Sequence, residues 1–126
     1  MGWSRFVRAS IILLLLALAM QIVQAADEPA ELKGAVTEIQ DVIKNMPAYD
    51  GKTVVIEGKI ATECGSGCWF IVDDGTASIY VDILPSNFVI PQKQGSTAKV
   101  YGNVTTKDGD PMIIGKIVEI GGEIYR

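Results

Sequence analysis

The chain has 126 residues, with 11 lysines and arginines against 15 aspartates and glutamates, and no histidine. A net charge of −4 lacks the basic footprint of a protein that grips nucleic-acid phosphates. Without histidine, the usual general base, the usual zinc ligand and the simple switch near neutral pH are all missing.

Residues 1–25 read as a signal peptide. Arg5 and Arg8 supply a basic start, Ile11 to Met20 is an unbroken apolar run, and Val23-Gln24-Ala25 is a cleavage pattern. Ten apolar residues fall short of the ~20 that span a bilayer. Cleavage after Ala25 leaves nine basic against 15 acidic residues, a net of −6, in one domain of ordinary size. The expected location is therefore the periplasm or the exterior, with no membrane anchor after cleavage.

Residues 26–48 form a polar lead and a short helix. Ala35 to Ile39 fits either a strand or a helix start. Ile39, Val42, Ile43 and Met46 then follow at helical spacing, and Pro47 marks a helix end near Asn45. Asp50-Gly51 is a turn, and residues 49–126 read as strands. Thr53 to Thr62 points Val54, Ile56 and Ile60 inward, with Gly58 as a bend. Cys68 to Asp73 is the second strand, and Asp74-Gly75 turns the chain. Ser78 to Ile83 alternates, with Ile79, Val81 and Ile83 inward and Tyr80 and Asp82 outward.

Leu84 to Gly95 is a connector whose Phe88, Val89 and Ile90 should plug one end. Ser96 to Val104 is the fourth strand, with Gly102 as a second bend. Asp108-Gly109 makes a hairpin, and Met112 to Ile120 is the fifth strand, irregular at Gly115. Five strands, two mid-strand glycines and an irregular third link predict an all-β fold. It is a small five-stranded Greek-key barrel, the OB-fold, behind a short helical segment.

The run Tyr49-Asp50-Gly51-Lys52-Thr53-Val54-Val55-Ile56-Glu57-Gly58-Lys59-Ile60 resembles the first strand of anticodon-binding-type OB domains. Lys99-Val100-Tyr101-Gly102-Asn103-Val104 resembles their fourth strand. Gly67-Cys68-Trp69, after Cys64, is similar to exported bacterial OB-fold proteins with a paired-cysteine-then-tryptophan loop. The resemblance implies a fold and a compartment and no particular activity.

Cys64 and Cys68 flank Gly65-Ser66-Gly67, whose glycines let the chain close a small ring. In an oxidising compartment a structural disulfide is the default. A redox dithiol is an alternative, although its usual motif has two intervening residues beside a helix. A Cu(I) site is another, because thiolates suit a soft ion; its third ligand would be Met112 or Met46. No resident cofactor is otherwise expected.

By analogy with the fold, ligands sit on the outer face of strands two and three, between the first and last interstrand loops. Trp69, Tyr80, Asp82, Lys107 and Asp108 are the candidate binding residues. Asp73-Asp74 and Asp108/Asp110 lie at turns and match no calcium loop. The chain shows no nucleophile–base pair and no phosphate loop. The expected function is an exported binding module, not an enzyme, stapled by a disulfide. Its partner would be an envelope protein, peptide, saccharide or cation. The competing readings are a thiol-redox or Cu(I)-handling protein and a single-strand nucleic-acid binder, which the acidic charge disfavours.

Overall fold

The computed structural model describes residues 28–126, so the expected signal peptide lies outside the described residues. Six strands form one sheet: β1 (Thr53–Glu63), β2 (Trp69–Asp73), β3 (Ser78–Asp82), β4 (Thr97–Lys107), β5 (Asp110–Ile120) and β6 (Glu123–Tyr125). Their order is β3-β2-β1-β4-β5-β6, and a parallel β3–β5 pairing closes the first five into a barrel. The expected five-stranded OB-fold is the fold observed. No helix among the described residues is long and apolar enough to cross a membrane.

Closure depends on β1 serving two neighbours. Thr53 to Lys59 pair with β4, and Lys59 to Glu63 pair with β2. Gly58 sits at this change of partner, where an added Cβ would overlap the backbone carbonyl of Asp73. The register slips between Ile60 and Thr62, which strengthens the local twist. Gly102 plays the same part in β4, pressed against the carbonyl of Ile114. The β4–β5 register shifts beside it, Tyr101 facing Ile117 while Gly102 faces Gly115. The β4–β5 shift thus falls at Gly102 and Gly115, whereas the β1 slip falls past Gly58, at Ala61.

The interior is wholly apolar. Ile56, Phe70, Val72, Val81, Val100 and Ile113 are completely buried, and no polar or charged side chain is buried among the described residues. Val55, one residue out of phase with the inward set, is also buried. The N-terminal segment covers it: Val36 makes a parallel bridge to Val55, and Thr37 N–H donates to the Val55 carbonyl at 2.8 Å. Residues 36–39 therefore supply both a strand-like bridge and a helix start.

Two short helices follow, α1 (Ile39–Lys44) and α2 (Met46–Tyr49). The first ends at Lys44 with Asn45 as its cap, where the sequence reading placed the end. Pro47 lies beyond that end, in the first turn of α2, where a missing N–H costs nothing. Ile39 and Val42 from α1 join the barrel core. The sequence reading also ended the sheet one strand early. Gly121 and Gly122, both at positive φ, form a two-residue hairpin turn into β6.

Asp74, in the β2–β3 turn, ties α1 to the barrel. One carboxylate oxygen accepts the Ile39 N–H at 2.8 Å; the other accepts from Thr76 N–H, Thr76 Oγ1 and Ala77 N–H. Partial burial favours the neutral acid, but these donors outweigh it and hold the carboxyl below its ordinary value of 3.8. A depressed carboxyl pKa stabilises the fold above the ordinary value, and that contribution is lost as pH falls through the folded-state pKa. Asp74→Ala is expected to cost about 1–3 kcal/mol. It should also flatten the acid limb of a stability–pH profile measured by denaturant unfolding.

Candidate functional site

The β1–β2 loop and the connector after β3 are held together as one unit. Glu63, the last residue of β1, accepts the Lys93 N–H at 3.0 Å and the Gln94 N–H at 2.8 Å on its two carboxylate oxygens. Gln92 Nε2 donates to the Gly65 carbonyl at 2.7 Å, and Gln94 Nε2 donates to the Ala61 carbonyl at 3.1 Å. Ile90, 3% exposed, fills the core beneath the loop, and Phe88 packs partly against it. Val89 departs from the expected plug: it is 54% exposed, because a chain crossing the barrel mouth alternates its side chains inward and outward.

The cysteine loop closes as a small hairpin. Cys64 N–H donates to the Trp69 carbonyl at 2.9 Å, and Gly67 N–H donates to the Cys64 carbonyl at 2.9 Å. Gly67 has φ +74°, and an added Cβ would overlap the carbonyl of Ile90. Only glycine meets both conditions. The structure holds Cys64 and Cys68 as free, half-buried thiols. Ser66 Oγ lies 3.2 Å from Cys64 Sγ and 3.9 Å from Cys68 Sγ, so one hydroxyl touches both sulfurs. The hydrogen bond from the Cys68 thiol, followed by that from Ser66, lowers Cys64 from 9.0 to about 6. The same sulfur–sulfur bond, with burial, pushes Cys68 up. The two thiols are thus unequal, with Cys64 the more acidic of the pair.

The two cysteines lead directly into an aromatic face. Trp69 on β2 is opposite Asp82 on β3, and Ile71 is opposite Tyr80. Trp69 and Tyr80 are diagonal neighbours whose rings stack, centroids 5.3 Å apart at 27°. Lys107, from the end of β4, places Nζ 4.5 Å from the Tyr80 ring centroid and 3.4 Å from its hydroxyl. Beside them is a depression of about 240 Å³, lined by Tyr80, Lys107, Asp108, Asp110, Pro111 and Met112.

The sequence-predicted residues therefore divide. Trp69, Tyr80 and Lys107 come together, and Asp108 joins them at the rim. Asp108 itself, at φ 52° before Gly109, is a turn residue. Asp82 is on the same face but is engaged: its Oδ1 accepts the Leu84 N–H at 3.0 Å, shaping the 3₁₀ turn Leu84–Ser86. Met112 pairs with Tyr80 and is 8% exposed in the aromatic depression. The cysteine pair instead abuts the far end of β3, where Ile83 N–H donates to the Cys68 carbonyl at 3.2 Å. The register thus groups Met112 with the aromatic residues and not with the thiols. No group of three His, Cys, Asp or Glu side chains able to hold a metal ion occurs among the described residues.

Sequence reasoning missed two features. Ser66 has no role in the sequence reading, though a hydroxyl midway between two cysteines is a signal for thiol hydrogen bonding. A groove of about 670 Å³ at the β1 bend, lined by Glu57, Lys59, Asp73 and Gln94 among others, left no local pattern. It arises from segments far apart in the chain.

A lowered Cys64 pKa favours the folded loop above the ordinary thiol value of 9.0 and loses that contribution as pH falls through about 6; the raised Cys68 acts in the opposite sense. For the reduced protein, the alkylation rate of Cys64 by iodoacetamide should rise with a midpoint near pH 6. Cys68→Ala should move that midpoint toward 9.0, because it removes the thiol that donates to Cys64 and leaves no donor in its place. Peptide-level mass spectrometry across a pH series checks both.

No family model matches the sequence, and no curated protein does. Solved structures do. The fold is similar to the hypothetical protein ygiW from E. coli, with a TM-score of 0.54 and 21% identity over 69% of this chain and 90% of that one. It is similar to asparaginyl-tRNA synthetase from Pyrococcus horikoshii, with a TM-score of 0.58 and 18% identity over 69% of this chain and 22% of that one. Aspartyl-tRNA synthetase from Entamoeba histolytica gives 0.55 and 16%, over 75% of this chain and 23% of that one. This chain thus spans less than a quarter of either synthetase. The resemblance to OB domains holds for the barrel, while the Cys-x-x-x-Cys-Trp loop is matched by no family model. At these identities the likeness is one of fold.

Proposed function

We propose that this chain is an exported OB-fold binding module, not an enzyme, whose ligand seats on the outer face of β2 and β3. The observation that carries the reading is the Trp69–Tyr80 stack with Lys107 over the second ring. Half-exposed aromatic side chains on a sheet face, beside a depression lined by both charges, offer apolar area together with orienting polar groups. That is the arrangement of a recognition surface. Candidate partners are an envelope protein or peptide, a saccharide or a cation. Nucleic acid is disfavoured because the chain beyond residue 25 carries a net of −6.

The test is two-dimensional NMR of isotope-labelled protein against a panel of basic and acidic peptides, oligosaccharides, divalent cations and a labelled oligonucleotide. A ligand is expected to shift the resonances of Trp69, Tyr80 and Lys107 first. Trp69→Ala should then weaken its binding about tenfold or more, the loss ordinary for a central aromatic contact. Shifts confined to the groove at Glu57 and Lys59 would replace this reading with a different site. Salt-sensitive micromolar binding of the oligonucleotide would restore the nucleic-acid one.

In the same proposal, export places Cys64 and Cys68 in an oxidising compartment, where they close a five-residue ring. The bond acts on the unfolded chain, so its loss is measurable without any change of fold. Cys64→Ser/Cys68→Ser should lose on the order of 2 kcal/mol in denaturant unfolding of the oxidised protein. Strand content by circular dichroism should stay the same, because the core lies in Val54, Ile56, Ile79, Val81 and Val100.

A further inference from the structure

The cysteine loop does not depend on its sulfurs for its shape. Its stem is closed by Cys64 N–H to the Trp69 carbonyl, and its outer strand is tied to β3 through Ile83 N–H and the Cys68 carbonyl. Ile90 N–H donates to the Gly67 carbonyl at 3.1 Å, and Glu63 anchors the connector from below. Only the tip, Gly65 and Ser66, is exposed. Both sulfurs meet at the Ser66 hydroxyl, inside a frame that is complete without a covalent link. The frame thus holds the two sulfurs near one another with no bond between them.

We propose that Cys64 and Cys68 interconvert between dithiol and disulfide in the folded chain by exchange with an external thiol–disulfide couple. The change passes to Trp69, the next residue and one edge of the aromatic face. This rests on the reading of the two cysteines as a bond-forming pair on the binding module. In the oxidising direction the Cys64 thiolate attacks one sulfur of the external disulfide. A mixed disulfide forms, and the first thiolate leaves. Cys68 gives up its proton and attacks the Cys64 sulfur, closing the Cys64–Cys68 bond and expelling the second thiolate. The thiolate and the thiol of the chain are oxidised and one external disulfide is reduced; the Cys68 proton ends on one leaving group, and the other leaves as a thiolate that takes its proton from solvent. The reverse sequence, with an external dithiol or two monothiols, reopens the loop.

The coupling to Trp69 follows from the geometry. Closing the bond brings the sulfurs off the Ser66 hydroxyl and draws Cys68 toward Cys64. Trp69 is held to Cys64 through its own carbonyl and to Tyr80 through its ring, so it takes up the displacement.

The test uses the full chain carrying Trp3→Phe, which leaves Trp69 as the only tryptophan. Samples are equilibrated in glutathione buffers from reducing to oxidising, acid-quenched, alkylated and analysed by mass spectrometry, with tryptophan emission read in parallel. Half-oxidation is expected within the glutathione range, where labile disulfides lie and structural ones do not. The emission of Trp69 should follow the oxidised fraction, and the double serine variant should show neither change. Cys68→Ser should trap glutathione on Cys64, while Cys64→Ser should react with oxidised glutathione about tenfold more slowly. A bond that stays closed in about a hundredfold excess of reduced glutathione overturns exchange and leaves the structural staple standing. Thiols that stay open in oxidised glutathione overturn the staple as well. Exchange with unchanged emission overturns the link to Trp69. Retention of one Cu(I) per reduced chain, with both thiols protected from alkylation, replaces exchange with metal binding.

Discussion

The molecule depends on β1 changing partners at Lys59. Its first half belongs to β4 and its second half to β2, so one strand turns a sheet into a barrel. The turn requires the β2–β3 corner to lie against the β1 backbone, and Gly58 is the residue that admits the Asp73 carbonyl there. The slip after Ile60 adds the remaining twist. Once β1 has turned, β3 reaches β5, and the loops after β1 and β4 flank one outer face. Lys107 and Met112 meet the aromatic pair only because this closure occurs.

No polar side chain is buried among the described residues, and the irregular segments contribute Ile39, Val42 and Ile90 to the same apolar core, a contact without direction. Two carboxylates at the barrel's surface add directed contacts. Asp74 accepts the first N–H of α1 from 35 residues away, and Glu63 accepts two successive N–H groups of the connector. Each satisfies backbone donors that a non-strand segment would otherwise present unpaired. The N-terminal helix and the connector are attached by the same chemical device, once on the β2–β3 turn and once on the β1–β2 loop.

That device also explains how a loop of Gly-Ser-Gly can hold two reactive groups in register. Glycine normally loosens a loop. Here Gly67 is pinned on the Ile90 backbone, and Gln92 restrains Gly65, so the flexible residues are the ones held from outside. The thiols share one hydroxyl, and their protons are apportioned unequally between them. An aromatic stack starts at the very next residue. Chemistry at sulfur and recognition on the sheet face are therefore adjacent in the chain as well as in space.

The strand pattern was written in the sequence because alternation is a local property. Ile79-Tyr80-Val81-Asp82 carries its two faces in four consecutive residues, and Asp74-Gly75 and Asp108-Gly109 announce their turns. The bend glycines were legible for the same reason, and with them the barrel. The short β6 was not read: Gly121-Gly122 is a turn signal, but three residues carry too little alternation to mark a strand. Burial of Val55 and the exposure of Val89 were not local. Each is decided by a segment that arrives from elsewhere: Val36 on β1, and the cysteine loop above the connector. For the site, the sequence supplied the residue types, namely two thiols, two aromatic rings and a lysine. Tertiary structure decided that Lys107 meets Tyr80, that Met112 sits with the rings and not with the thiols, and that Ser66 is the group both sulfurs touch. The first two are distances between side chains on different strands, which closure of the barrel sets; the third is set by the fold of one loop.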